Sequence, residues 1–372
     1  MNFDFSEEQK MLREQAHSFL RDKSPSRVVR NILESDEPYD KQLWQAIVEM
    51  GWTATCIPEE YGGLGLGSLE LCVIAEELGR VLAPTPFSSS VYLATEAIMM
   101  AGNEAQKQRW LPRLAAGENI GSFALSEGPR AATPENLQTT VVDGFIDGVK
   151  YPVTDGDVAD FVVVVARDSV GVSWYLVDLR AEGVERKPVK SLDPTRSQAH
   201  LTFDKVPAEL LGEAGKGFCL TDELYDRAAV LFAFEQVGGS LAALEQACEY
   251  AKDRYAFGRS IASFQAIKHK LADMYVAATL ARSNCYYGAW ALSTDAAELS
   301  SAAATARISA TDAYQLCARE NIQTHGGMGY TWEFDCHLYY RRARALAVNL
   351  GNKWHWEDRL ISALENRGEV LA

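Results

Sequence analysis

The carboxylate in this sequence best suited to proton chemistry is Glu235, which stands alone beside the apolar stretch Val230 to Phe234. Burial in such surroundings raises a carboxyl pKa, and a base that takes a proton from carbon needs a raised pKa. The bland reading, which the residues favour, is a helix-packing glutamate hydrogen-bonded to a neighbouring element. General signatures of catalysis are missing. There is no His-Glu-x-x-His among the six histidines, no Cys-x-x-Cys among the seven cysteines, and no metal cluster in the sequence. There is also no Gly-x-Gly-x-x-Gly fingerprint, phosphate loop or Gly-x-Ser-x-Gly elbow. Taken singly, Arg254 reads as part of a solvated helix face and Gly326-Gly327 as a helix C-cap. His325 reads as a packing residue, Glu357-Asp358 as a solvated face, and Asp226-Arg227 as a surface pair or a ligand contact. Motifs of this kind leave a soluble α-β-α chain without an assigned chemistry.

Three regions must position these groups. Residues 1–117 read as helical. Ser6 and Gln9 fit a capping box, Met11, Leu12, Phe19 and Leu20 recur at helical spacing, and Leu43, Trp44, Ile47 and Val48 form a second stripe. A glycine-rich turn from Ile57 to Gly65 precedes a third helix, Leu69 to Leu82, stopped near Pro84. Residues 118–222 change character. Thr139 to Val142 before Asp143-Gly144 reads as a strand and turn, and Phe161 to Val165 is a β-branched run that suits a buried strand. Short turns imply an antiparallel β-domain. Residues 223–372 return to helix in long stretches, 223–255, 262–294 and 296–324, whose length suits a four-helix bundle.

The 372-residue chain carries 36 Lys and Arg against 51 Asp and Glu, a formal net charge of −15. Phosphate-backbone binding needs clustered positive charge, so no nucleic-acid partner is expected. The longest apolar runs, Phe161 to Ala166 and Ala228 to Phe234, fall far short of the roughly 20 residues of a membrane span, so no membrane partner is expected either. The acidic start MNFDFSEEQK lacks the build of a secretory signal, and the scattered cysteines read as reduced thiols. The expected location is cytoplasmic.

Three longer motifs add more. They are Ile57-Pro58-Glu59-Glu60-Tyr61-Gly62-Gly63, then Asp253-Arg254-Tyr255-Ala256-Phe257-Gly258 with Phe264-Gln265-Ala266, then Gln323-Thr324-His325-Gly326-Gly327-Met328-Gly329-Tyr330. In this order and spacing the whole chain resembles the acyl-CoA dehydrogenase family. The resemblance implies an N-terminal α-helical domain (1–117), a middle antiparallel β-barrel domain (118–222) and a C-terminal four-helix bundle (223–372). It also implies FAD, an acyl-CoA substrate desaturated between its α and β carbons, and an electron-transfer flavoprotein as partner. By the same resemblance Arg254 faces the FAD pyrophosphate, which a forked guanidinium suits. Phe257 packs near the adenosine half, Gln265 and Gln323 hydrogen-bond the ADP arm, and Gly326 and Gly327 let backbone approach the phosphates. These residues serve a neighbouring protomer's FAD.

The flavin half departs from the family's pattern. Where the family has Thr-Glu-Pro-Gly-Ala-Gly-Ser-Asp, this chain has Ser126-Glu127-Gly128-Pro129-Arg130-Ala131-Ala132-Thr133, and where it has Trp-Ile-Thr, this chain has Pro152-Val153-Thr154. Ser126 and Thr154 alone keep their hydroxyls. The usual base position, counted from Gly326, is Leu350, and the family's minority position is Ala228. Neither accepts a proton, and Glu235, about two turns beyond Ala228 on the same helix face, is the weak alternative. The pattern resembles the base-less subunit of bacterial heteromeric enzymes, in which two related chains form an α2β2 tetramer acting on bulky, notably steroid side-chain, thioesters. Two alternatives stand beside it. One is a self-sufficient homotetramer or homodimer using Glu235 as base. The other is a non-enzymatic assembly or binding protein of the same fold.

Overall fold

The computed structural model describes residues 6–366. Six helices come first: α1 (Glu7–Lys23), α2 (Ser26–Glu34), α3 (Lys41–Glu49), α4 (Ser68–Arg80), α5 (Glu96–Ala101) and α6 (Glu104–Ala115). The capping box at α1 is formed: Ser6 Oγ accepts the Gln9 N–H at 3.2 Å and Gln9 Oε1 accepts the Ser6 N–H at 2.9 Å. An eight-residue π-helical segment, Ser88–Thr95, leads into α5.

The strands are β1 (Gly121–Ala124), β2 (Thr140–Val142), β3 (Phe145–Thr154), β4 (Phe161–Arg167), β5 (Val172–Asp178), β6 (Val184–Pro188), β7 (Gln198–Pro207) and β8 (Glu209–Leu211). They form one sheet in the order β6-β7-β3-β2-β4-β5-β8, with β1 beside β4. The pairing is antiparallel except that β4 runs parallel to β1 and, at Thr140, to the start of β2. Among the described residues no pairing of β6 with β8 closes this sheet into the expected barrel. The β-branched run is its core, with every residue from Phe161 to Ala166 fully buried.

The chain then returns to helix in α7 (Gly217–Asp253), a small hairpin of β9 (Tyr255–Ala256) and β10 (Arg259–Ser260), α8 (Gln265–Ser293), α9 (Leu299–His325), α10 (Cys336–Leu346) and α11 (Lys353–Asn366). By length and composition α7 is apolar enough to cross a membrane, yet 89% of its most apolar stretch is buried inside the protein, as in a core helix. Helical, sheet and helical regions therefore succeed one another along the chain as the sequence implies.

The chain folds into two compact units that are discontinuous in sequence. One holds Met1–Val29, Ser68–Ala83 and Ala229–Ala372, and the other holds Arg30–Gly67 and Pro84–Ala228. In the first, α4 crosses α7 at two glycines. A Cβ on Gly79 would stand 2.0 Å from the Glu235 carbonyl oxygen, and one on Gly238 would stand 1.8 Å from that of Glu76. Only glycine permits so close a crossing. In the second unit, Trp174 is fully buried and its indole N–H donates to Thr221 Oγ1 at 2.9 Å.

Candidate functional site

One end of the helical unit gathers the residues expected on the ADP arm. Tyr250 near the end of α7 stacks on His325 at the end of α9, ring centroids 4.1 Å apart. Lys270 at the start of α8 pairs with Glu320 on α9 at 2.7 Å. These contacts bring Arg254, Gln265, Gln323 and Gly326-Gly327 to the same end. Arg254, Gln265, Gln323 and Gly327 are exposed. Among the described residues the Arg254 guanidinium has no carboxylate partner, and the two amides have no side-chain hydrogen bond. His325 is buried, with Nδ1 2.8 Å from the Asn321 carbonyl oxygen, in keeping with a packing residue.

The hairpin explains Phe257. Ala256 pairs with Arg259 and Tyr255 with Ser260, which leaves Phe257-Gly258 as a two-residue loop. Both loop residues have positive φ, 54° and 77°, as a type I′ turn demands. A bulky residue is rare there. The turn leaves Phe257 96% exposed, its ring edge-on to Phe264 at 6.3 Å between centroids. At the far corner Gly326 has φ 60° and ψ −138°, and a Cβ on Gly326 or Gly327 would meet nothing within 4 Å. The glycines thus border open space on a surface with an unpaired cation and free amides, the donor set an anionic ligand requires. These residues fit a pyrophosphate arm.

The expected flavin-side residues lie in the sheet unit. Ser126 is half-buried, and its carbonyl accepts the Tyr151 N–H at 2.8 Å. The next residue, Glu127, takes Lys150 Nζ at 2.8 Å and the backbone N–H groups of Gln138 at 2.6 Å and Thr139 at 3.0 Å. Burial pulls the Glu127 carboxyl up, but the hydrogen bonds from Lys150 and Gln138 outweigh it and hold it below the usual range. Lys150 is completely buried in β3, and burial pushes it down to about 8 against the pull of Glu127. The stem of the loop is therefore fixed, while Pro129, Arg130 and Ala131 at its tip are exposed. Thr154 is half-buried. Its hydroxyl lies 3.1 Å from Gln198 Nε2, and its carbonyl accepts Ser122 Oγ at 2.7 Å. Asp155 behind it is buried, and desolvation pushes it up to about 6. Lys150 is a residue sequence reading misses. Its one signal is a lysine in phase with Ile146 on the inward face of a strand.

The base candidates resolve differently. Ala228 is fully buried in α7. Leu350 is half-buried with φ 55°, in the left-handed turn between α10 and α11. Glu235 is 1% exposed, and its Oε1 lies 3.2 Å from Arg342 Nη1 on α10, itself 1% exposed. Arg342 also donates to the Leu82 carbonyl at 3.3 Å. The packing reading of Glu235 is what the contacts describe: it sits inside an ion pair that joins two helices.

The chain is similar to known proteins along most of its length. The family model for the acyl-CoA dehydrogenase N-terminal domain matches residues 6–118, and that for the C-terminal domain matches residues 215–353, together more than half of the chain. Acyl-CoA dehydrogenase IpdE2 of Mycobacterium tuberculosis is 35% identical over 344 residues, 92% of each chain. Butyryl-CoA dehydrogenase from Megasphaera elsdenii superposes with a TM-score of 0.91 at 28% identity, covering 98% of this chain and 100% of that one. The ChsE4-ChsE5 complex from Mycobacterium tuberculosis superposes with a TM-score of 0.88 at 26% identity, covering 98% and 99%.

Proposed function

The chain belongs to the acyl-CoA dehydrogenase family, and on that premise we propose that it is the base-less subunit of a two-chain, FAD-dependent acyl-CoA dehydrogenase. The observation that carries the proposal is a contrast between two sets of residues. The groups suited to an ADP arm are exposed and unpaired, whereas the two positions that the resemblance assigns to the base hold Leu350 and Ala228, and Glu235 is held by Arg342. FAD is the cofactor of this family, and when bound it supplies the hydride acceptor for the acyl β-carbon. Arg254 would hold the pyrophosphate, which a forked, charge-assisted guanidinium suits. Gln265 and Gln323 would offer amide N–H groups beside it, Gly326 and Gly327 would give the phosphates access to backbone, and the Phe257 ring would cover the adenosine half. No group at position 350 or 228 takes the α-proton, so a related partner chain supplies the base.

A solved two-chain relative supports this assembly as a form the fold adopts. The bulky, steroid-type acyl group is carried in the proposal on the resemblance alone. The self-sufficient alternative with Glu235 as base is disfavoured by that residue's ion pair, and the assembly-protein alternative by the unpaired donor set.

Visible flavin absorbance tests the proposal. The chain purified alone is expected to be colourless, and the complex co-purified with its partner yellow, near one FAD per pair. Stoichiometric FAD on the chain alone would overturn the shared site.

A further inference from the structure

Two buried arginines fasten the helix that leads to position 350. Adjacent α7 residues hold one each: Glu235 takes Arg342 from α10, and Gln236 Oε1 takes Arg307 Nη1 from α9 at 2.6 Å. Gln236 is itself fixed by Thr311, whose Oγ1 accepts its amide N–H at 3.1 Å. Arg307 is 1% exposed and reaches across to the end of α10. Its Nη2 donates to the carbonyl of Leu346, the last residue of that helix, to the Asn349 carbonyl at 3.0 Å, and to Asn349 Oδ1. Helix ends leave carbonyls without intrahelical partners, and a cation that gathers them closes the exit. Burial lowers the Arg307 pKa to about 9, with Glu235 and Cys285 opposing, so the guanidinium stays charged at neutral pH and its hydrogen bonds are charge-assisted.

Beyond Asn349 the backbone is unusual. Leu350 has φ 55° and Gly351 φ 101°. A Cβ on Gly351 would stand 2.5 Å from the His355 ring, so the turn is sterically defined on its far side too. A leucine keeps left-handed φ only where its surroundings impose it. We propose that Arg307 is a positioning residue: by gripping Asn349 it imposes the left-handed turn and so sets where residue 350 stands. The inference rests on the proposed function, in which position 350 is where a base-bearing relative carries its carboxylate. The chain has then lost the carboxylate and kept the backbone that aims it.

Peptide-resolved amide hydrogen exchange on the full chain tests the proposal. Asn349→Ala is expected to raise exchange at residues 347–351 about tenfold, the size of one lost charge-assisted hydrogen bond, and Arg307→Gln at least as much, because it also removes the bonds to the Leu346 and Asn349 carbonyls. The double variant should exchange no faster than Arg307→Gln alone, because that substitution already removes the contact with Asn349 Oδ1. Asn349→Asp keeps an acceptor and adds an opposite charge, and it should restore parental protection, which a general loss of packing would not do. Asn349→Ala alters a half-buried side chain and keeps the test available if Arg307→Gln fails to fold. Unchanged exchange in Asn349→Ala, or a rise spread evenly over α9 and α10, would overturn the inference. Exchange needs no flavin and the absorbance test needs no ordered turn, so either reading can fail alone.

Discussion

At the Arg254 end of the helical unit, the side chains of Arg254, Gln265 and Gln323 face outward and find no side-chain partner among the described residues; at the Leu350 turn, polar groups face inward and are claimed. Arg254 is exposed with no carboxylate, and the glycines at 326 and 327 border open space. Arg307, by contrast, spends its donors on Gln236, Leu346 and Asn349, and Arg342 is closed on Glu235 and Leu82. Desolvating an arginine is costly unless its partners are supplied. Where the chain leaves a guanidinium unpaired, that group stays in water and is available to a ligand. Where it buries one, the group has become part of the scaffold. The same residue type thus stays open to solvent in one place and serves as architecture in the other.

The largest expected effect tests the closed half. Arg342→Met leaves Glu235 buried without its cation and should cost about 3–5 kcal/mol in denaturant unfolding. Glu235→Leu combined with Arg342→Met should recover most of that loss, because a buried pair replaced by apolar groups of similar volume is close to neutral. A loss under about 1 kcal/mol in Arg342→Met would mean that Glu235 is not committed to the pair, and the search for a base would return to it.

The open half gives the opposite signature. Arg254→Ala should leave unfolding within about 0.5 kcal/mol of the parent, as surface changes do. The FAD content of the co-purified complex should nonetheless fall about tenfold, since a charge-assisted contact is worth about 1.5–3 kcal/mol. Unchanged flavin would remove Arg254 from the site and favour an assembly protein.

The sheet unit sharpens the comparison through pH. Lys150 sits at about 8 in the folded chain against an ordinary 10.5, so between those values the unfolded chain binds the extra proton. Stability from this site therefore rises as pH climbs from about 8 to about 10.5. The difference in unfolding free energy between parent and Lys150→Met should track that rise and amount to at most about 3 kcal/mol. A flat difference would mean that Lys150 is as well solvated as a surface lysine.

Local features of this fold are legible in the sequence because nearby residues decide them. The Ser6-Gln9 capping box needs a three-residue spacing, and the buried strand from Phe161 to Val165 needs only β-branching without polar interruption. The third bundle stretch, read as 296–324, is observed as Leu299–His325. The ADP-arm candidates are legible through motif resemblance, and the structure brings them to one end. The buried pairs are not legible. Lys150 meets Glu127, Arg307 meets Gln236 and Asn349, and Arg342 meets Glu235 across long sequence separations. No spacing rule links such residues to their partners, and Arg307 and Arg342 alone read as surface. Glu235 is visible as a buried carboxylate, but whether it is base or brace depends on a helix about a hundred residues away.

The smallest expected effect lies at Phe257, where binding and stability should move in opposite directions. The ring is 96% exposed and its φ is 54°. Left-handed backbone costs a residue with a Cβ about 1–2 kcal/mol, and glycine avoids this while giving back about 0.5–1 kcal/mol in unfolded-state entropy. Phe257→Gly should therefore be neutral or up to about 1 kcal/mol more stable in denaturant unfolding. Phe257→Ala keeps the backbone cost and removes the ring, so it should not gain stability. Both variants should lower the FAD content of the co-purified complex to a similar degree, because both lose the same aromatic face. If Phe257→Gly is instead clearly destabilised, the ring works inward against Phe264, and the hairpin belongs with Arg307 and Arg342 among the braces. If it is stabilised while flavin is lost, the chain keeps a strained aromatic where only a ligand benefits, and the hairpin belongs with Arg254.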